Sequence, residues 1–287
     1  QPGAGKTTRV PLCLLEEEWV KGQKLLLLEP RRVAARLAAS FMARQLGEDV
    51  GQTVGYRMRG DSCVSAQTRL EVVTQGVLTR MLQDDPLLEG VAGIIFDEFH
   101  ERSLEADVGL ALTLDVQTSI RDDLRLLVMS ATLDVEALKR VLGEQVPVIE
   151  CHGRQYPVAT AYRPSLSGEE SISHAIRVVE EALSLPGTQG ILVILPGVAE
   201  INRLVQALEK TLPHLAIRPL HGRMSIAEQQ AALAANTSKQ RIIVSTAITE
   251  SSITVDGVNV VIDGGLERVP LFQPRTGLTR LTTRRIN

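Results

Sequence analysis

The chain opens with Gln1-Pro-Gly-Ala-Gly-Lys-Thr-Thr8, and the reading of every later segment turns on this stretch. It fills all but the first position of the phosphate-binding pattern G-x-x-x-x-G-K-[ST]. Glycines let consecutive backbone N–H groups converge on phosphate oxygens, and Lys6 supplies a mobile positive charge. The Thr7 hydroxyl can ligate Mg²⁺. The alternative is a glycine turn with a lysine beside it. A second stretch bears on the choice: Gly93-Ile-Ile-Phe-Asp-Glu-Phe-His-Glu-Arg102. The apolar run Val91 to Phe96 ends in adjacent carboxylates, as a buried parallel strand does where ligands bind at its C-terminal edge. Asp97 would hold Mg²⁺ through water, and Glu98 would orient or deprotonate an attacking water. The bland alternative there is a strand ending in a solvated acidic turn.

With 287 residues the chain has room for two domains. Hydrophobic residues make up 44% and aromatics only 3%, so the cores must be built from Leu, Val, Ile and Ala. No apolar run reaches the roughly 18 residues of a membrane span. No signal peptide is read, since the chain opens inside a motif. The three cysteines, Cys13, Cys63 and Cys151, form no C-x-x-C pair. That fits a cytoplasmic setting and argues against a disulfide framework or zinc site. The histidines form no H-E-x-x-H pair, which excludes that metalloprotease class. A net charge of −3 does not mark a nucleic-acid binder, so such binding would need a local groove. From Arg268 to Asn287 there are five arginines and no acid, which reads either as a nucleic-acid contact or as a solvated strand pair.

Strand-like and helix-like runs alternate. Strands are expected at 24–28, 70–73, 91–96 and 124–129, and helices at 31–46, 76–82, 104–116 and 135–142. The second half continues with helices at 172–185, 199–212 and 226–235, and strands at 191–195, 217–220, 242–245 and 258–262. This order implies α/β domains with parallel sheets flanked by helices. Between the halves, Glu150 to Pro164 lacks long periodicity, and the boundary is placed near Gly153, giving domains 1–152 and 153–287. Phe272 to Leu281, around Pro274-Arg-Thr-Gly277, reads as a hairpin.

The motifs, in order, resemble those of superfamily 2 helicases of the DEAH-box type, and within these the bacterial HrpB-like branch. Glu29-Pro-Arg-Arg-Val-Ala-Ala35 looks like motif Ia, Val54-Gly-Tyr-Arg-Met-Arg59 like the family's Gly-Tyr segment, and Thr74-Gln-Gly-Val-Leu78 like motif Ib. Asp97-Glu-Phe-His100, with Glu101-Arg-Ser103, resembles motif II, and Ser130-Ala-Thr132 motif III. Leu195-Pro-Gly197 sits where motif IV begins, and Thr246 to Val255 resembles motif V. The resemblance spans essentially the whole chain.

It implies two tandem RecA-like domains using ATP and Mg²⁺ to move along or unwind nucleic acid 3′ to 5′, with single-stranded RNA favoured over DNA as partner, as a monomeric motor. It implies that Gly3, Ala4, Gly5, Lys6, Thr7 and Thr8 cradle the nucleotide, with Thr7 and Asp97 on the metal and Glu98 on the water. His100 would link nucleotide state to the second domain; a packed structural role is its alternative. Ser130 and Thr132 would couple the sites, or simply cap the helix before Val135. Glu250 and Asp256 would sense the nucleotide from the second domain. Arg32, Thr74, Gly76, Gly197 and Thr246 would touch the strand's backbone, which carries no sequence information. With eight aromatic residues, extensive base stacking is not expected.

Phe99 replaces the usual alanine of motif II, in the manner of the HrpB-like branch. Ala247 and Ser251 stand where Asn and Thr are commoner in motif V. Motif VI, with its arginine finger, would follow Asn287, so none is assigned. The chain alone is therefore expected to bind ATP but turn it over slowly, by the roughly 10³- to 10⁵-fold that such a finger contributes. The competing classes are a P-loop switch that moves no strand, a silent scaffold and a restriction-type DNA translocase. The switch lacks an Asn-Lys-x-Asp guanine signature, the scaffold sits poorly with intact Lys6, Asp97 and Glu98, and the translocase with motif Ia and Glu101-Arg-Ser103. The hairpin is either a strand-separating element or a plain structural one.

Overall fold

The computed structural model describes residues 6–131, 135–150, 157–234, 240–246 and 255–286. The chain divides into two compact units, Gln1–Tyr156 and Pro157–Asn287. Gly153, where the sequence puts the boundary, lies outside the described residues.

In the first unit, α1 (Lys6–Leu14) leads through β1 (Lys24–Glu29) to α2 (Arg32–Gln45). Strands β2 (Val54–Met58), β3 (Asp61–Cys63) and β4 (Leu70–Thr74) follow, then α3 (Gln75–Asp84). The unit continues through β5 (Val91–Phe96), α4 (Leu104–Ser119), β6 (Arg125–Val128) and α5 (Val135–Leu142). The six strands form one sheet in the order β3-β2-β4-β1-β5-β6, parallel except for β3.

Strand β1 shows why the unbroken apolar run makes this architecture. Its leucines alternate between two faces. Leu25 and Leu27 enter a core with Ala35, Ala39 and Met42 of α2. Leu26 and Leu28 enter the opposite core with Leu78 of α3, Leu110 of α4 and Phe96. Both faces are covered, so no alternation of polar residues is tolerated, and each buried leucine contributes about 1.5–3 kcal/mol.

The second unit repeats the plan. It contains α6 (Ser171–Ser184), β7 (Gly190–Ile194), α7 (Val198–Thr211), β8 (Ala216–Leu220), α8 (Ile226–Leu233), β9 (Arg241–Ser245) and β10 (Val260–Asp263). Its sheet runs β10-β7-β9-β8, all parallel. Ile191 and Val193 pack with Leu204 and Leu208 of α7, whereas Leu192 and Ile194 pack with Ala232 of α8. An antiparallel pair, β11 (Leu266–Gln273) and β12 (Leu278–Arg285), stands as its own two-stranded sheet. Its turn matches the expected hairpin, but the paired strands run well beyond it. Every residue of β12 is exposed.

The parallel registers bring the strand ends to one edge of each sheet. In the first unit Glu29 faces Thr74, and Leu28, Phe96 and Val128 are in line. In the second, Ile194, Ser245, Leu220 and Asp263 are aligned.

Candidate active site

Lys6 is the first residue of α1, and its Nζ donates to the Ser130 carbonyl at 2.6 Å. This joins the end of the phosphate loop to the segment after β6. Asp97 follows β5 directly; its N–H donates to the Leu28 carbonyl at 3.1 Å. The carboxylate is buried, 5% exposed. Its Oδ1 accepts from the Glu98 N–H at 2.8 Å, and its Oδ2 has no hydrogen-bond partner. Burial pushes the Asp97 pKa up, against the Thr7 hydroxyl, the Glu98 amide and the Lys6 ammonium, which favour the charged form.

Glu98 sits in left-handed backbone, φ 48°. That is uncommon for a residue with a side chain, and such positions gather at functional sites. Burial and the neighbouring Asp97 charge push the Glu98 pKa up; His100 and Lys6 pull it down. His100 Nδ1 lies 3.3 Å from Glu98 Oε2 and 3.5 Å from the Ala131 N–H. As a donor Nδ1 serves the carboxylate, and as an acceptor it serves the amide; one nitrogen cannot do both at once. His100 therefore stands between Glu98 and the Ser130-Ala131 segment.

Phe99, the substitution in motif II, is a core residue here. Its ring meets Phe96 edge-on with centroids 6.3 Å apart. Its N–H donates to the Met129 carbonyl at 3.1 Å, stitching β5 to β6.

Sequence reading places Glu29 in the motif Ia match but gives it no role at this site. It ends β1, is fully buried, and neither carboxylate oxygen has a hydrogen-bond partner. Burial, then the charges of Asp97, Glu98 and Glu101, push its pKa well above 4.5. An acidic residue closing a leucine run reads as a solvated strand end; only the neighbouring strand, β5, makes it part of the site.

Beside this site a groove of about 460 Å³ is lined by Arg31, Thr74, Gly76, Glu101, Ser103 and Glu105, among others. Thr74 and Gly76 are expected strand contacts. Arg32 is exposed, and Arg31, its neighbour, lines the groove instead. In the second unit Gly197 precedes α7, and a Cβ there would lie 2.5 Å from Arg268 Nη1 and 2.8 Å from Glu200 Oε2. Thr246 follows β9 and is half-buried. The exposed Asp256 offers its carbonyl to the buried Arg241. Gly3, Ala4, Gly5, Thr132 and Glu250 lie outside the described residues.

Among the described residues no group of three or more His, Cys, Asp or Glu is arranged to hold a metal ion. The site still suits Mg²⁺, which takes one or two protein oxygens and completes its shell with water and phosphate. The unpartnered Asp97 Oδ2, with Thr7 near it, is the observation that fits.

Two family models match the chain: DEAD/DEAH box helicase over residues 1–141, and Helicase conserved C-terminal domain over 174–278. The chain is 47% identical to ATP-dependent RNA helicase HrpB of Escherichia coli, covering 99% of this chain and 35% of that protein. It is 34% identical to an ATP-dependent RNA helicase HrpA homolog of Haemophilus influenzae, covering 98% and 22%. Its fold superimposes on the crystal structure of Escherichia coli DEAH/RHA helicase HrpB with a TM-score of 0.91 at 46% identity, over 99% of this chain and 36% of that one. A second structure, the Escherichia coli DExH-box NTPase HrpB, gives 0.80. The chain belongs to the DEAH-box helicases, in the HrpB-like branch. It spans 35% or less of the length of these curated relatives. Its two α/β units are the tandem RecA-like domains of that family. No described helix is long and apolar enough to cross a membrane.

Proposed function

We propose that this chain is the motor core of an ATP-dependent RNA helicase that couples ATP hydrolysis to 3′-to-5′ movement along a single strand. The observation that carries this is the convergence of Lys6, Asp97, Glu98 and Ser130 at the C-terminal edge of one parallel sheet. The family's relatives named as RNA helicases support the substrate, and the three cysteines without a C-x-x-C pair support a cytoplasmic setting. The boundary between the domains, 1–152 and 153–287, falls near Gly153 in the sequence, and the motor acts as a monomer.

Lys6 would exchange the Ser130 carbonyl for β and γ phosphate oxygens, so that phosphate occupancy is felt at once by the segment after β6. Gly3 to Thr8 would cradle the phosphates through backbone N–H groups. Thr7 and Asp97 would hold Mg²⁺, which supplies positive charge for the phosphates and keeps Asp97 ionised. Glu98, its pKa raised by burial and by Asp97, is a better proton acceptor than a solvated carboxylate, and it would hold the water in line with the γ phosphate. His100, Ser130 and Thr132 would carry the state of that site onward, and Glu250 and Asp256 would report it from the second unit. Arg32, Thr74, Gly76, Gly197 and Thr246 would hold the strand's sugar-phosphate backbone.

The test is phosphate release by the intact protein with single-stranded RNA, single-stranded DNA or no polymer. RNA should stimulate turnover most, and stimulation should fall steeply with salt. Equal rates in all three would replace this reading with that of a nucleic-acid-independent switch.

A further inference from the structure

Two side-chain links tie the tail of motif II to the loops that line the groove. Ser103 Oγ is 2.7 Å from Gln75 Oε1, and Arg31 Nε is 3.4 Å from Glu101 Oε2. The second link is the more informative. The other Glu101 oxygen, Oε1, is buried without a hydrogen-bond partner, so the contact with Arg31 offsets much of a poorly compensated charge. That charge stands in the field of Glu29 and Glu98. Among the described residues lining the groove, Arg31 is the one cation, beside the acids Glu101 and Glu105. A polyanion entering there meets a guanidinium already engaged by a carboxylate.

We infer that Arg31 passes from Glu101 to a strand phosphate when nucleic acid enters the groove, and that this exchange is how strand binding reaches the nucleotide site. The inference rests on the helicase reading above and adds the relay. Glu101 closes a single turn of 3₁₀ helix, Phe99–Glu101, whose other flank is Glu98. The residues on both sides of that turn, Glu98 and Arg102, have φ of 48° and 43°. Non-glycine residues keep such angles only while their surroundings hold them. Removing Arg31 takes away one of those holds. The turn can then shift, and Glu98 moves relative to His100 and to the water it orients. Arg31 and Glu101 are thus positioning residues; neither touches the reacting atoms.

The experiment measures binding of a single-stranded RNA homopolymer by fluorescence anisotropy in the intact protein without nucleotide. Glu101→Gln keeps the shape and removes the carboxylate charge that competes with phosphate for Arg31, so RNA should bind about fivefold tighter, the scale of a half-exposed ion pair. Arg31→Ala should weaken binding, and in that background Glu101→Gln should change it less than about twofold. Glu105→Gln, which removes the other carboxylate lining the groove and leaves the Arg31–Glu101 pair in place, should change it about twofold or less. The RNA concentration giving half-maximal stimulation of hydrolysis should fall in Glu101→Gln alongside the binding constant, a shift that a merely structural role would not produce. Full tightening by Glu101→Gln in the Arg31→Ala background, or equal tightening by Glu105→Gln, overturns the exchange and leaves the helicase reading standing. No RNA binding by the wild type overturns both.

Discussion

Replacing Glu29 by Gln should stabilise the first unit, and by an amount that depends on pH. The side chain is fully buried, both its oxygens lack partners, and three carboxylates surround it. Its folded pKa therefore lies well above its ordinary value of 4.5. The sign follows from proton linkage. Below the ordinary value both folded and unfolded states carry the proton, and Glu29 imposes no charge penalty. As pH rises above it, the unfolded chain releases the proton and the folded one does not, so wild-type stability falls until the folded pKa is passed. Gln carries no titratable proton and can donate to Asp97, so it escapes this loss. Each pH unit inside that window is worth about 1.4 kcal/mol. For a unit of this size that is roughly 3–6 °C in melting temperature. The assay is a pair of thermal melts between pH 4 and pH 6.5. The Gln variant should start level with wild type and gain steadily as pH rises. Parallel curves, or a gain that shrinks with pH, would refute the burial argument.

Three further outcomes follow from the same geometry. Glu98→Gln should lower phosphate release by about 10²- to 10⁴-fold while a fluorescent nucleotide still binds, because it removes a proton acceptor and no phosphate contact. Phe99→Ala should lower unfolding stability by about 3–5 kcal/mol in urea, since a core ring packed on Phe96 is lost. Glycine substitutions should split by surroundings. A Cβ at Gly55 would lie 2.5 Å from the Cys63 carbonyl oxygen, so Gly55→Ala should destabilise by about 1–3 kcal/mol. Gly76 sits on α3 with open space around it, so Gly76→Ala should stabilise by about 0.5–1 kcal/mol.

What the sequence revealed and what it hid have physical causes. Buried parallel strands need apolar side chains on both faces, so Leu25–Leu28 and Val91–Phe96 announce themselves as runs. Strands β2 and β3 do not. Val54-Gly-Tyr-Arg-Met58 mixes glycine and arginine, and its place is set by pairing with β4, a contact between distant segments. Lys6, Asp97 and Glu98 were legible because phosphate chemistry restricts both residue type and spacing. Glu29 and Glu101 were legible only as members of motifs; their burial beside the site was not, since it is decided by neighbouring strands. The two adjacent arginines after Pro30 are separated only by where the helix begins. Arg31 is extended, with φ −125° and ψ 136°, and lines the groove, whereas Arg32 opens α2 and is exposed.

The claim on which the account stands is that Lys6, Thr7, Asp97 and Glu98 surround one Mg²⁺-bound triphosphate. A crystal structure of the protein with Mg²⁺ and a non-hydrolysable ATP analogue tests it most directly. Lys6 Nζ should have left the Ser130 carbonyl for the phosphates, with the metal on the side of Asp97 Oδ2. Phosphates bound elsewhere, with Lys6 still on Ser130, would contradict it.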